Sequence, residues 1–281
     1  MRLRVLTWNL HHGRDFPPDA ALRTWRSRLL RLDERNETHL QVNRDLLPEF
    51  SSVLGGAEWS IALLQECPPR WAPALARATG SEAHLALTSR NSLASLRALL
   101  ARQNPDLIGS NEGGSNLTLV RPGAGRIAER RELSLRLLPE CRVLAFTRLA
   151  GGACVANVHA STHDRRAEDE LRLAAERSVE WAAGAPLLLG GDFNVRPGRG
   201  GLFEELHERF GLSAPSQTEA IDHILARGFE MVEPAVAWPP SAREVTEDGL
   251  AIRLSDHAPV EAVFEAPAAP ARGESAAEPK G

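Results

Sequence analysis

The side chains best suited to chemistry are Asn9, Glu66, Asn116, Asn157, His159, Asp192, Asn194, Asp222, Asp256 and His257, a set dominated by carboxylates and carboxamides. Such oxygen donors suit hard Mg²⁺, with Mn²⁺ as a substitute, whereas softer metals recruit thiolates and several imidazoles. Mg²⁺ takes one or two protein carboxylates and leaves positions for water and phosphate. Glu66 and Asp256 are the first candidates. A phosphate ester resists attack because its charge repels nucleophiles, so cleavage needs charge neutralisation, a positioned water and help for the leaving oxygen. Asp256 could face a metal while adjacent His257 faces the substrate, and Asp222 could fix that imidazole in one tautomer and raise its pKa. Asn9, Asn116 and Asn194 could donate to phosphate oxygens without adding charge, and Asp192 could orient or deprotonate water.

These residues must be delivered by secondary structure. Leu3 to Leu10 reads as a buried strand with Asn9 at its end, and Ser60 to Glu66 as another that puts Glu66 where the chain leaves the core before Pro68 and Pro69. Further strands are expected over 114–121, 142–146, 153–159, 186–190, 220–225 and 258–264. The stretch from Asp19 to Leu47 lacks Gly and Pro, and its Leu22, Trp25, Leu29, Leu30 and Leu32 predict an amphipathic helix or helix pair. Helices are also expected near 93–100, before a loop at Asn104-Pro105, and over 166–183. Residues 1–264 read as one domain, and 265–281 as a disordered tail of Ala, Pro, Glu and Gly.

With 281 residues, 43% of them hydrophobic, the chain can bury a full core. A formal charge of −4 argues against broad electrostatic attraction to nucleic acid but leaves room for a local basic groove. Three cysteines without metal-ligand spacing suit a reducing compartment, so a cytoplasmic location is expected. Cys67 reads as buried rather than reactive. No apolar run is long enough to span a bilayer.

The blocks Thr7-Trp-Asn-Leu10, Leu63-Leu-Gln-Glu66, Asn157-Val-His159, Gly190-Gly-Asp-Phe-Asn194, Ile221-Asp-His223 and Ser255-Asp-His-Ala-Pro-Val260 are each weak patterns. In this order, from Thr7 to Val260, they resemble the endonuclease/exonuclease/phosphatase superfamily with its deoxyribonuclease I-like fold. The resemblance implies an α/β four-layered sandwich, two packed and mainly antiparallel sheets flanked by helices. It implies a Mg²⁺ ligand at Glu66 with Asn9 and Asp256 close by, water positioning by Asp192, phosphate binding by Asn194, an Asp222–His257 pair, and His159 near the scissile phosphate. No covalent intermediate is implied, and the general base stays open between Asp192 and His257. The absence of tyrosine removes a residue used by the abasic-site endonucleases of the superfamily. The arginine-bearing segment 14–43 matches no substrate-defining element.

A nuclease acting on DNA or RNA is the leading expectation. A phosphatase or phosphodiesterase for a small molecule or lipid headgroup is the alternative, and an inactive binding protein of the same fold a third. A zinc hydrolase using His159 and His163 is disfavoured by their spacing on a strand. His11, His12, His163 and His223 receive no role, and His223 is expected to be exposed beside Asp222.

Overall fold

The structure is a computed structural model describing residues 1–88, 94–107, 114–138, 140–198, 200–215 and 217–266. Two sheets carry it. The larger has the order β12 (Glu230–Ala237), β15 (Val260–Glu265), β1 (Arg2–Asn9), β4 (Ile61–Gln65), β6 (Ser115–Val120), β5 (Glu82–Leu87). The smaller has the order β11 (Asp222–Arg227), β10 (Leu187–Asp192), β9 (Cys154–His159), β8 (Arg142–Leu149), β7 (Ile127–Arg136). Each is antiparallel except for one internal parallel pair, β1 with β4 and β9 with β10. Those two pairs end on the same side of the sandwich, which concentrates their C-terminal residues at one rim.

Strand alternation explains both the packing and the site. On the inner face, Leu3, Val5, Ile61, Leu63, Val155, Leu188, Ile224 and Phe264 form the core between the sheets. On the outer face of the larger sheet, Leu6, Trp8, Ala62 and Leu64 pack against helices α2 (Leu47–Gly56) and α3 (Ala72–Thr79) through Phe50, Leu54 and Leu75, and against Trp71 of the 3₁₀ turn before α3. Trp8 and Phe50 ring centroids lie 5.0 Å apart, and truncating so deeply buried a tryptophan costs about 3–5 kcal/mol. Cys154, Ala156, Val158, Leu187 and Leu189 of the smaller sheet pack against α5 (Asp164–Ala182) and α6 (Leu202–Phe210). The result is the four-layered sandwich.

Along the inner face the residues turn polar toward the rim: Leu3-Val5-Thr7-Asn9, Ile61-Leu63-Gln65, Val155-Asn157-His159 and Leu188-Gly190-Asp192 at every second position. A slip of one residue in any strand would aim its polar group into a helix layer.

The remaining elements are smaller. The strands β2 (Glu34–Arg35) and β3 (Leu40–Gln41) form one ribbon, and β13 (Glu244–Glu247) with β14 (Leu250–Arg253) another. The segment 19–47 departs from the expected amphipathic helix pair. It holds a 3₁₀ turn at Ala20–Leu22 and the six-residue α1 (Trp25–Leu30), which stops where Arg31 takes a left-handed conformation with φ 57°. Beyond it Asn36 Oδ1 accepts from the N–H groups of Thr38 and His39 and turns the chain into the ribbon. The face of α1 that is buried carries Ser27, while Trp25, Leu29 and Leu30 are exposed. Apolar spacing alone therefore misplaced the buried face. The helix α4 (Ala94–Gln103) ends at the expected Asn104-Pro105 break. Strands β5, β7 and β12 through β14, and helices α2, α3 and α6, were not anticipated. The expected tail beyond Glu265 lies outside the described residues apart from Ala266.

Candidate active site

Asp192 ends β10 on the inner face, wholly buried, and its carboxylate is the hub of the rim. Oδ2 accepts from Asn9 Nδ2 at 2.9 Å and lies 3.5 Å from His159 Nε2 and 3.9 Å from His257 Nε2. Oδ1 accepts from the backbone N–H of Asn194 at 3.1 Å. Strand β10 reaches this place because Gly191 lets it pass against β9: a Cβ there would lie 1.8 Å from the Val158 carbonyl, and φ is +143°. No other residue type fits.

The two histidines around Asp192 are held in opposite states. Burial pushes His257 down, but the Asp222 hydrogen bond to Nδ1 (2.8 Å) and the charges of Asp222, Asp192 and Asp256 outweigh it and lift the imidazole to about 10. His159 goes the other way: burial, then the positive charges of Arg142 and His257, hold it well below its ordinary value. Arg142 Nη1 can only donate, so His159 Nδ1 at 3.1 Å is an acceptor and the ring's proton sits on Nε2, facing Asp192 and Glu66. The short approach of His159 to Asp192 is thus a neutral donor contact, not an ion pair. Asp192 itself is raised to about 7 by burial and by Asp222, against the opposing pull of His257 and Asn9. Groups whose pKa values are driven apart in one small site are the signature of divided acid and base roles.

Glu66 follows β4 with φ +49° and stands beside the hub, with Oε1 3.9 Å from His159 Nε2 and Oε2 3.2 Å from His12 Nε2. Burial and the charge of Asp256 raise its pKa. Asp256 Oδ1 lies 3.1 Å from His11 Nδ1. Burial and Arg14 lower both His11 and His12 to about 4, so neither supplies a cation to the carboxylates. Oxygen donors with mutually repelling charge and, among the described residues, no cationic side chain paired to them fit a hard divalent ion, held by Glu66 and Asp256 with the Asn9 carboxamide beside them. The compact group Asp192, Asp222 and His257, whose ligand atoms lie within 4.8 Å of one another, fits an ion worse, because a metal ligand imidazole must be neutral and His257 is held cationic.

The supporting contacts are mostly invisible to motif reading. Ser255, at φ +59°, donates to the Asn9 carbonyl at 2.6 Å and accepts from His257 N at 3.0 Å, tying the Asp256-His257 loop to β1. The buried Arg243 donates to the carbonyls of Ser255 (2.6 Å) and His257 (2.9 Å). Gly13, at φ +76°, rests on the Trp71 ring, 2.3 Å from where a Cβ would be, and fixes the turn carrying His11 and His12. Of the eight non-glycine residues with positive φ among the described residues, five (His11, His12, Glu66, Asn194, Ser255) lie in these rim loops, and such strain gathers at functional sites.

The anticipated residues fall into two sets. Asn9, Glu66, His159, Asp192, Asn194, Asp222, Asp256 and His257 meet at the rim. Asn157 lies one layer below it, where Gln65 Nε2 donates to its Oδ1 at 2.8 Å and bridges the sheets. Asn116 is fully buried, its Nδ2 donating to the Val143 carbonyl at 2.8 Å and its Oδ1 left without a partner among the described residues. Asn194 donates to the Ala160 carbonyl at 3.0 Å and keeps a second amide proton at the partly exposed edge. His223 is not exposed: alternation turns it away from Asp222 and buries it against Phe193 and Phe203, with Nε2 3.3 Å from the Val195 carbonyl. His163 is an exposed helix N-cap, and Cys67 is buried with its thiol pushed up by desolvation. Arg142, His11 and His12 were missed. The histidines directly follow the block that holds Asn9, but Arg142 is marked only by strand pairing.

Residues 6–257 match the model of the Endonuclease/Exonuclease/phosphatase family, and the chain belongs to that family. Members of it are phosphoesterases, and its sites generally use a divalent metal. Among solved structures, a family protein from Bacteroides thetaiotaomicron superposes with a TM-score of 0.62 at 17% identity, covering 94% of this chain and 95% of that one. The mannosyl-6-phosphatase of the same organism gives 0.60 at 16% identity, covering 93% and 99%. TDP2 from Caenorhabditis elegans gives 0.58 at 14% identity, covering 95% and 75%. At these identities the likeness concerns the fold. No curated protein sequence matches the chain at a significant level. No helix among the described residues is long and apolar enough to cross a membrane.

Proposed function

We propose that this chain is a Mg²⁺-dependent hydrolase that cleaves a phosphate ester by direct attack of water. The observation that carries the reading is the geometry around Asp192, with His159 Nε2 at 3.5 Å, its Nδ1 bonded by Arg142, and His257 Nε2 at 3.9 Å, its Nδ1 bonded by Asp222. Asp192, with its pKa near 7, takes the proton of the attacking water as the new phosphorus–oxygen bond forms. The imidazolium of His257, braced by Asp222, gives its proton to the leaving oxygen as the old bond breaks. His159 Nε2–H, with the remaining amide proton of Asn194 and the Asn9 carboxamide, meets the non-bridging oxygens as charge builds on them. Glu66 and Asp256 would hold the ion, which when bound polarises the phosphoryl oxygen and lowers its charge repulsion.

A compact phosphate ester is the favoured substrate, because beside the site lies a cavity of about 200 Å³ walled by Arg14, Arg23 and Arg28. That is smaller than the roughly 300–1,000 Å³ of sites for drug-sized ligands. DNA or RNA is the second reading, supported by the exposed Trp25 between arginines Arg23, Arg26 and Arg28, an arrangement that suits an unstacked base. Turnover of plasmid DNA, single-stranded DNA, RNA, sugar phosphates and a chromogenic phosphodiester with Mg²⁺ and with Mn²⁺ separates the two. Cleavage confined to small esters supports the first reading and cleavage confined to polynucleotides the second. No turnover of any substrate would overturn both.

A further inference from the structure

Segment 14–43, which carried no assignment in the sequence, walls a cavity together with His11 and Asp106. We infer that this cavity is a subsite for a second phosphate of the substrate, so that the ester hydrolysed here is a bisphosphorylated small molecule. The inference rests on the proposed phosphoesterase reading and names its substrate class.

Three arginines line the cavity, and none makes an ion pair with a carboxylate among the described residues. Arg14 Nε donates to the His11 carbonyl at 3.2 Å, Arg23 lies 4.2 Å above the Phe16 ring, and Arg28 is exposed. Elsewhere the protein pairs its arginines freely, as in Arg126 with Glu82 and Arg172 with Glu205. The two acids in the cavity wall are already engaged. Asp15 Oδ2 accepts from the Val42 N–H at 3.0 Å and Asp106 Oδ2 from Gln41 Nε2 at 2.9 Å. Burial raises Asp15 to about 8 and raises Asp106 against the pull of Arg14 and Arg28, and a single ionised carboxylate would still leave the three guanidinium charges in excess. Guanidinium forks match phosphate oxygens in geometry as well as charge.

Position ties the cavity to catalysis. His11 belongs to its wall and also lies 3.1 Å from Asp256, so the second phosphate would sit one side chain away from the proposed metal ligands. The wall is anchored rather than loose: Phe16 N donates to the Arg253 carbonyl at 2.7 Å, and Asp15 bridges to Leu254, two residues before Asp256. The volume of about 200 Å³ admits a phosphate and part of its carbon skeleton but excludes a duplex.

Calorimetric binding of inorganic pyrophosphate to the full chain in EDTA tests the site without turnover. We expect Arg23→Ala/Arg28→Ala to raise Kd at least about tenfold, Arg23→Lys/Arg28→Lys to recover part of the loss, and Glu66→Ala to change Kd less than about twofold. With Mg²⁺, the kcat/KM preference for bisphosphorylated over monophosphorylated sugars should fall by a similar factor in the double alanine variant. Unchanged binding in that variant, or binding lost only in Glu66→Ala, would overturn the inference. An enzyme that binds pyrophosphate through the arginines and hydrolyses nothing would sink the proposed reaction while leaving the anion site standing.

Discussion

Arg142 Nη1 donates to His159 Nδ1 at 3.1 Å, and this contact settles which nitrogen of His159 faces the reaction. Replacing the arginine by methionine frees the ring to take either tautomer and removes the charge that helps keep it neutral. We expect kcat to fall roughly 10–100-fold with little change in KM. The His159 imidazole, followed by NMR, should titrate at higher pH in the variant. An unchanged His159 titration would show that burial alone sets its state.

Asp222 is the main support of the His257 imidazolium. In Asp222→Asn the hydrogen bond to Nδ1 loses its charge, and His257 should give up its proton at lower pH. The alkaline limb of the kcat profile should therefore move to lower pH, and kcat at neutral pH should fall about 10²–10⁴-fold. A loss of activity with the alkaline limb unmoved would assign Asp222 a purely structural role.

The Gln65–Asn157 bridge is a buried hydrogen bond between the two sheets. Asn157→Leu removes this bond and the Asn157 Nδ2 donation to the buried Leu64 and Leu117 carbonyls, while Gln65 Nε2 keeps the Leu63 carbonyl at 3.0 Å, and should cost about 1–3 kcal/mol of stability in urea denaturation. Gln65→Leu/Asn157→Leu together should cost less than the sum of the single changes, because the bond between the two amides is already lost in either single variant. Additive costs would mean that the two amides do not depend on each other.

Asp15 offers a test through pH. Its folded pKa, raised to about 8 by burial, lies above the ordinary value of 3.8, so the folded state holds the proton more tightly than the unfolded chain. The sign is destabilising: stability from this group falls as pH rises from about 4 to about 8, by at most ~1.4 kcal/mol per pH unit. Asp15→Asn keeps an acceptor for the Val42 N–H and removes the titration. The variant should gain on the native chain across that window in chemical denaturation at fixed salt, and a constant difference would contradict the raised pKa.

Much of the candidate site at the rim was legible because the chemistry proposed for it needs particular atoms. Asn9, Glu66 and Asp192 each close a short apolar run and His257 stands just before one, and strand alternation places residues at even spacing on one face without knowledge of the partner strand. What alternation could not reveal was pairing. Arg142 meets His159 only because β8 lies antiparallel to β9, and nothing local to Arg142 says so. Asn116 and Asn157 carry the right chemical type but sit a layer too deep, a matter of a few ångströms along the strand. In segment 19–47 the apolar period suggested a core-facing helix, yet Asn36 and a left-handed Arg31 break it, and Leu29, Leu30 and Leu32 face outward. His223 was misjudged because its exposure is set by Phe193 and Phe203, distant in sequence on one side.

The most direct test is the dependence of chromogenic phosphodiester hydrolysis on Mg²⁺ in the native chain, Glu66→Ala and His257→Ala. Turnover should need added Mg²⁺ and vanish in EDTA. It should fall at least about 10³-fold in Glu66→Ala and be only partly restored at high Mg²⁺, whereas His257→Ala should lose kcat while keeping the native Mg²⁺ dependence. Hydrolysis that persists in EDTA, or that Glu66→Ala leaves intact, would contradict metal-assisted attack at this rim.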